Sequence, residues 1–225
     1  MVISLGGSLI VPEKVDFKFL KSFIKTLRKH YKKWKFVIVC GGGSIARKYI
    51  EVLKHEHKAG EKELSLAGIR VTRLNALLLM ELFGKEANDT LPTTMKSVKN
   101  DLHKNNVAIC GALRYAPEST SDGTAAKLAH FLGSEFINMT NVRGLYSANP
   151  LTNKNAKFIP WESWKKFDER ANNMKYHSGQ HFVLDQKAAT MIHKDKIKTY
   201  IVGQDVKNID KILQGKKFTG TSICR

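Results

Sequence analysis

The feature of this sequence that most constrains its fold is the alternation of short apolar runs with longer segments of helical periodicity. Strands are predicted at Val2–Leu5, Phe36–Cys40, Val107–Cys110, Glu135–Met139, Lys198–Val202 and Thr221–Cys224. Helices are predicted at Asp16–Tyr31, Ser44–His55, Leu64–Phe83, Asp122–Phe131, Phe182–His193 and Val206–Leu213. Turn signals between Tyr146 and Pro160 predict an irregular hairpin. Strands separated by helices predict an α/β fold with a parallel sheet, whose ligands bind at the carboxyl ends of the strands.

The composition fits one large domain outside a membrane. The 225 residues are 42% hydrophobic, which is enough for a substantial core, and no apolar run is long enough to span a bilayer. Met1 leads straight into a predicted strand without the pattern of a signal peptide, so a cytoplasmic location is expected. The formal net charge of +18 invites a nucleic-acid interpretation, but the lysines are spread through the chain. Nucleic-acid binding is therefore not expected as the main function.

The three cysteines, Cys40, Cys110 and Cys224, lie far apart in the sequence. Cys40 and Cys110 each end an apolar run just before a glycine. This placement favours small buried thiols over a metal site or a disulfide framework.

Two glycine-rich turns follow the first two predicted strands. Gly6-Gly7-Ser8 follows the first strand, and Gly41-Gly42-Gly43 joins the second strand to a helix. Glycine lets the backbone approach a bound group closely, and the free N–H groups at a helix N-terminus attract anions. Two such turns on one parallel sheet are able to hold a donor phosphate and an acceptor phosphate near each other, with Arg47 one helical turn further on. Tight turns without a ligand are the alternative.

Neither turn has the spacing of a P-loop or of a dinucleotide-binding motif. Instead, the order of motifs along nearly the whole chain resembles the amino acid kinase family, and within it the archaeal type of UMP kinase. The motifs are GGSLIVPE, GGGSIARKYIEV, GIRVTRLNALLL, TSDGTAAKLAHFLG, TNVRGLYSANP, and DQKAATMI followed by KTYIVG. The resemblance implies one domain, a three-layer α/β/α sandwich with a mainly parallel central sheet. Residues 1 to about 115 would bind the phosphoryl acceptor, and the rest would bind ATP.

The resemblance also implies a reaction and a set of site residues. The reaction is in-line transfer of the γ-phosphoryl group of ATP to UMP, with Mg²⁺ expected. The residues implied for ATP are Gly7, Ser8, Gly43, Arg47, Thr140, Asn141, Tyr146 and Asn149. The residues implied for UMP are Gly42, Ser65, Gly111, Ala112, Leu113, Ser119 and Thr120. Asp122 and Arg47 would be catalytic, and no residue is assigned to a metal.

Asp122 lies at the start of a predicted helix, where the dipole favours an ionised carboxylate. The resemblance makes it the polar organiser beside the reacting groups, whereas the residues alone favour a plain N-cap. A phosphate acceptor needs no general base, so the absence of a His–Asp or Cys–His pair is no objection. The histidines, including His177 and His181, are expected at the surface.

The sequence departs from the family pattern at four places that would face ligands. Many relatives have a lysine where this chain has Ser4, and an aspartate that grips ribose where it has Ser65. A Gly-Gly-Thr segment appears as Gly111-Ala112-Leu113, in a longer loop. Two aspartates of the ATP segment are replaced by Arg143 and Asn149.

These departures leave several expectations open. Lys127, Arg47 and Arg143 are candidates to replace the missing lysine. The acceptor is expected to be UMP; alternatives are another small phosphate or acid, such as isopentenyl phosphate, or a nucleotide-binding regulator with little catalysis. The resemblance also implies a homo-oligomer, a dimer or hexamer. The leucine stripe of the Leu64–Phe83 helix is expected to serve mostly the core; its members are Leu74, Leu77, Leu78 and Leu82.

Overall fold

The computed structural model describes residues 1–55, 59–115, 120–173 and 184–225. Its strands are β1 (Val2–Leu5), β2 (Phe36–Cys40), β3 (Val107–Cys110), β4 (Phe136–Met139), β5 (Leu145–Tyr146), β6 (Phe158–Ile159), β7 (Trp161–Glu162), β8 (Thr199–Val202) and β9 (Thr221–Ile223). Its α-helices are α1 (Gly7–Ile10), α2 (Phe17–Arg28), α3 (Gly43–His55), α4 (Glu61–Phe83), α5 (Met95–Lys104), α6 (Ser121–Phe131), α7 (Trp164–Asn173), α8 (Gln186–Lys194) and α9 (Lys207–Leu213).

Seven strands form one sheet in the order β3-β2-β1-β4-β8-β9-β7, and β5 pairs with β6 in a separate hairpin. Neighbouring strands from β3 to β8 are parallel, as is the β7–β9 pair, whereas β8 and β9 are antiparallel. The predicted α/β fold with a mainly parallel sheet is therefore confirmed. The predicted hairpin between residues 146 and 160 is present as the antiparallel β5–β6 pair.

Side chains of β1 alternate between the two faces of the sheet. Ile3 and Leu5 join a core cluster with α2, α4 and α9, whereas Val2 joins a second cluster with α6, α7 and α8. Because the side-chain period of a strand is two, Ser4 lies on the same face as Val2. The two cores on opposite faces give the three layers that the family resemblance implies.

The predicted helices and strands agree with the observed elements to within a few residues at their ends. The prediction missed α5 and α7, because these helices carry few apolar residues at helical spacing, and α1, because it has only four residues. In α5, for example, Val98 alone is buried. The helix predicted from Phe182 begins at Gln186; residues 182 and 183 lie outside the described residues.

The cysteine and leucine predictions have different outcomes. Cys40 and Cys110 are buried free thiols, as predicted, and Cys224 is partly buried. Of the leucine stripe, Leu78 and Leu82 pack against the core, but Leu74 and Leu77 are 62% and 45% exposed. A core role is therefore wrong for Leu74 and Leu77.

The topology identifies the edge of the sheet where a ligand is expected. From β1 the chain builds β2 and β3 on one side, and then crosses to β4 and β8 on the other. Parallel α/β sheets bind ligands where the strand order reverses in this way, at the carboxyl ends of the strands. The loops after β1, β2, β3 and β4 all open at this edge. Within the described ranges, none of the helices is long and apolar enough to cross a bilayer.

Candidate active site

The two glycine turns pack directly against each other. A Cβ atom added at Gly7 would lie 2.3 Å from the Gly43 nitrogen, and one added at Gly41 would lie 2.7 Å from the Gly7 nitrogen. Gly43 also has a φ of +62°, which other residues rarely adopt. The glycines are therefore required by the contact between the two backbones, whether or not a ligand binds. This contact holds the ends of β1 and β2 and the N-terminus of α3 within a few ångströms of each other.

Helix α4 holds the loops that follow β2 and β3. Asn75 is buried and donates from Nδ2 to the Gly41 carbonyl at 2.7 Å. The Thr72 hydroxyl accepts from the Ala112 N–H at 2.9 Å. A Cβ atom at Gly111 would lie 2.6 Å from the same hydroxyl, so glycine is needed where this loop meets α4.

The third contact of α4 comes from Arg73. Its guanidinium donates to the Ala112 carbonyl at 3.3 Å and to the Leu113 carbonyl at 2.6 Å. The side chains of Ala112 and Leu113 are buried, and Leu113 belongs to the core cluster on the α6 face. Ala112 and Leu113, at the start of the loop after β3, are thus fixed from both sides, by α4 and by the core.

Asp122 projects from the start of α6 towards the sheet. The buried Ser4 hydroxyl donates to Asp122 Oδ1 at 2.7 Å. Asp122 is not the N-cap of α6; Thr120 is, because its hydroxyl accepts from the N–H groups of Asp122 and Gly123. The interpretation of Asp122 as a plain cap is therefore wrong, and its carboxyl is available for another role.

The charge state of Asp122 also differs from the sequence-based expectation. Burial raises the pKa of the Asp122 carboxyl to about 7; the Ser4 hydrogen bond lowers it and the nearby Asp185 carboxylate raises it. At pH 7 the carboxyl is therefore only partly ionised. The expectation that Asp122 is held ionised is therefore wrong at pH 7, because burial disfavours the charged form of the carboxyl.

Asp185 connects the starts of α6 and α8. It caps α8 by accepting from the Ala188 N–H at 2.7 Å, and it accepts from the Gly123 N–H at 3.2 Å and from the Thr120 hydroxyl. The sequence analysis included Asp185 in the DQKAATMI motif but assigned it no role. A helix-capping signal in that motif was the available clue.

The residues predicted for the nucleotide of ATP lie after β4 and in the β5–β6 hairpin. Thr140 and Asn141 follow β4, and the Thr140 hydroxyl donates to Asn141 Oδ1 at 3.3 Å. The half-buried Tyr146 packs edge-on against Phe158, with ring centroids 5.4 Å apart. The side chain of Asn149 closes a turn, since its Oδ1 accepts from the Leu151 N–H at 3.0 Å.

The other predicted residues are less constrained. Arg47 is exposed on the first turns of α3, and Gly42 faces α4 at Gly68 and Thr72. Ser65 is half-buried on α4 and, by helical spacing, lies on the same side of α4 as Gly68. The structure therefore places Ser65 near the Gly42 turn. Ser119, predicted to bind UMP, lies outside the described residues.

The cations that were candidates to replace the missing lysine lie in different surroundings. The Arg143 guanidinium lies 4.2 Å from the Phe158 ring centre, in a cation–π contact. Lys127 lines a cavity between the loop after β3, the start of α5 and α6. Arg47, on α3, lies at the edge where the glycine turns meet. Arg47 is therefore the candidate on the helix whose N-terminus carries the predicted phosphate position.

Comparison with known proteins agrees with this architecture. The model of the Amino acid kinase family matches residues 1–203. The chain belongs to this family.

Curated relatives refine that assignment. The uridylate kinase of Thermococcus kodakarensis is 34% identical over 225 residues, covering 99% of this chain and 98% of that protein. The uridylate kinase of Archaeoglobus fulgidus is also 34% identical, with 99% of both chains covered. The crystal structure of the uridylate kinase from Archaeoglobus fulgidus has a TM-score of 0.85 over 99% of both chains at 33% identity. The fold and the sequence are thus similar to those of archaeal uridylate kinases over the whole length.

Proposed function

We propose that this protein is a UMP kinase, which transfers the γ-phosphoryl group of ATP to the phosphate of UMP and yields ADP and UDP. The observation that carries the proposal is the convergence of two interlocked glycine turns and the Asp122 carboxyl at one edge of the sheet. This convergence occurs in a chain that resembles archaeal uridylate kinases from end to end.

The glycine turns supply the phosphate positions in this proposal. Gly7, Ser8 and Gly43 serve the phosphates of ATP and Gly42 serves UMP, with Gly42 and Gly43 at the N-terminus of α3. The N–H groups at that N-terminus and the helix dipole favour the charge of the two phosphates. Because the turns touch, two phosphates bound to them are held close together, as in-line transfer requires.

Charge in the transition state is stabilised by Arg47 and organised by Asp122. Arg47, one turn into α3, neutralises the equatorial oxygens of the transferred group. Asp122 cannot bond an anionic phosphate when it is ionised, so it orients groups that do. Asp122 accepts a hydrogen bond from Ser4, and Ser4 stands at the position where many relatives have a lysine. The cation in this chain therefore comes from another element, and Arg47 is the proposed source.

Magnesium fits this arrangement as a companion of ATP. Mg²⁺ in kinases is held mainly by the phosphates, with one or two carboxylates and several waters. Asp122 is a carboxylate at this edge that suits such an indirect role. When bound, the ion neutralises the β- and γ-phosphate oxygens.

We further propose that the chain works in two halves. Residues up to about 115 hold UMP through the α3 N-terminus, α4 and the loop after β3. The remaining residues hold ATP through β4, the β5–β6 hairpin and the start of α6. A homo-oligomer remains a proposal; exposed Tyr49 and Val52 on α3, with Leu74 and Leu77 on α4, would suit a contact between copies.

The deciding experiment offers several acceptors to the purified protein with ATP and Mg²⁺. UMP, CMP, dUMP and isopentenyl phosphate are tested in parallel by the release of ADP. A rate with UMP well above the others supports the proposal. A higher rate with another acceptor assigns a different substrate within the family, and ATP binding without any turnover supports a regulator instead.

A further inference from the structure

The loop after β3 is fixed by an arginine whose role the sequence does not reveal. Arg73 donates to two consecutive carbonyls, those of Ala112 and Leu113. Within the described ranges Arg73 has no carboxylate partner, so its guanidinium is satisfied by hydrogen bonds to these two carbonyls. A planar guanidinium is suited to hold two acceptors in a fixed geometry, which a lysine cannot do.

This contact determines where the neighbouring amide groups point. In a trans peptide the C=O of one residue points opposite to the N–H of the next. Because the carbonyls of Ala112 and Leu113 point to α4, the N–H groups of Leu113 and Arg114 point away from it. Neither N–H has an acceptor among the described residues. They form a pair of adjacent, unpaired donors.

The donors point to the side of the loop where a cavity lies. A cavity of about 350 Å³ is lined by residues 93–95, residues 113–115, Thr124 and Lys127. Helices α5 and α6 form its other walls, and they pack on the face of the sheet opposite to α4. Its volume falls in the range of small-molecule sites, and the two amides add backbone donors to the polar side chains of its lining, such as Thr124 and Lys127.

We propose that Arg73 is a positioning residue that sets acceptor specificity by turning the Leu113 and Arg114 amides into this cavity. The inference rests on the proposed function. The ligand class that fits is a planar base with carbonyl oxygens, such as uracil. Cytosine has an amino donor in place of one of those oxygens, so it would leave one amide unpaired.

The test is a steady-state comparison of Arg73→Met with Arg70→Met. Both changes remove one positive charge from α4, but Arg70 is exposed, and among the described residues it makes no hydrogen bond to the loop, unlike Arg73. We expect Arg73→Met to raise KM for UMP by about tenfold or more, the size expected for a lost hydrogen bond to a charged group. We expect the preference for UMP over CMP to fall by a similar factor, whereas KM for ATP stays unchanged. Arg73→Lys should restore part of the preference.

Several outcomes separate this inference from a structural role and from the proposed function. If KM for UMP and ATP rises equally, or the preference for UMP is unchanged, the inference is overturned. If Arg73→Met does not fold, Thr72→Val removes the bond to the Ala112 N–H at the same loop and should shift the preference in the same direction. No shift in that variant overturns the inference. A wild-type protein that does not phosphorylate UMP refutes the proposed function itself.

Discussion

The two halves of the chain hold their candidate ligand-binding segments in different ways. In the first half, Asn75 and Arg73 of α4 reach loops that are 34 to 40 residues away in sequence. Among the polar side chains predicted for the nucleotide of ATP, Thr140 bonds to Asn141 and Asn149 to Leu151, both of which are near neighbours. The loops on the acceptor side are therefore fixed by tertiary contacts, whereas Thr140 and Asn149 on the ATP side are fixed by local hydrogen bonds.

The difference has a physical consequence for the proposed reaction. A segment whose conformation is fixed before binding loses less entropy when the ligand arrives and discriminates more sharply between ligands. The enzyme must distinguish its acceptor from similar monophosphates, so a rigid binding segment is most useful on the acceptor side. ATP carries a triphosphate, which backbone amides bind regardless of the base attached to it.

Asp122 lies between the halves, and its replacement should have the largest effect. Asp122→Asn keeps the shape and removes the charge, so turnover with UMP should fall by about 10²-fold or more. Steady-state ADP release at pH 8 measures the fall, and a thermal melt shows whether the protein is folded. The control is Asp205→Asn at the start of α9, where Asp205 accepts from the Lys207 N–H. A rate within about tenfold of wild type would contradict the role of Asp122.

The contact between the glycine turns should dominate stability. Gly43 and Gly215 have nearly the same φ, +62° and +67°. A Cβ atom added at Gly43 would lie 2.4 Å from the Gly7 backbone, whereas one added at Gly215 would have no neighbour within 4 Å. We expect Gly43→Ala to lower the free energy of unfolding by about 2–3 kcal/mol and Gly215→Ala by about 1 kcal/mol. Urea denaturation compares them, and equal losses would show that the turns do not constrain each other.

The raised pKa of Asp122, about 7, predicts opposite pH trends for activity and stability. If the ionised form is active, turnover falls about tenfold per pH unit below 7. The folded protein keeps this proton to a pH where the unfolded chain, with a pKa of about 3.9, has lost it. The contribution of Asp122 to the free energy of unfolding therefore decreases as the pH rises from about 4 to 7.

Rate profiles and thermal melts from pH 5.5 to 8.5, a range of about 1.5 units either side of that pKa, check both trends. Asp122→Asn should remove the pH-dependent loss of stability and melt above the wild type at pH 8. A rate that is flat across this range would show that the carboxyl titrates at its ordinary pKa.

A pair of asparagine variants tests the comparison between the halves directly. Asn75→Ala leaves the buried Gly41 carbonyl unpaired, so we expect a loss of about 1–2 kcal/mol and a rise in KM for UMP. Asn149→Ala removes a bond in an exposed turn, so we expect a loss within about 0.5 kcal/mol and a rise in KM for ATP. Chemical denaturation and steady-state kinetics measure both. A larger loss of stability in Asn149→Ala than in Asn75→Ala would contradict the proposed difference between the two halves.

The smallest expected effect is a gain in affinity for UMP when Ser65 is replaced. Ser65→Asp supplies two acceptors for the ribose hydroxyls of UMP, so we expect binding to tighten by about fivefold, as for one added hydrogen bond. Calorimetry with UMP measures the change. Unchanged or weaker binding would show that Ser65 does not face the ribose.

Most of the fold, but only part of the site, was predictable from the sequence. Six strands of the sheet were predicted because each is a compact, mostly apolar run, whereas the two-residue β7 was missed because it is too short to show a pattern. Helices α5 and α7 were missed because each buries only one or two side chains. Motif order identified the site segments through resemblance. It did not reveal Arg73, Asn75 or Asp185, because their roles are hydrogen bonds to residues far along the chain.

The sequence by itself determined the alternation of strands and helices, the parallel sheet, and the two glycine turns at its edge, because these depend on local periodicity and on the size of glycine. Only the tertiary structure decided that the two turns interlock and that α4 holds the acceptor loop. It also decided the charge state of Asp122, whose partner Ser4 is 118 residues away. Burial and distant hydrogen bonds set a pKa and a loop conformation, and neither can be read from local sequence.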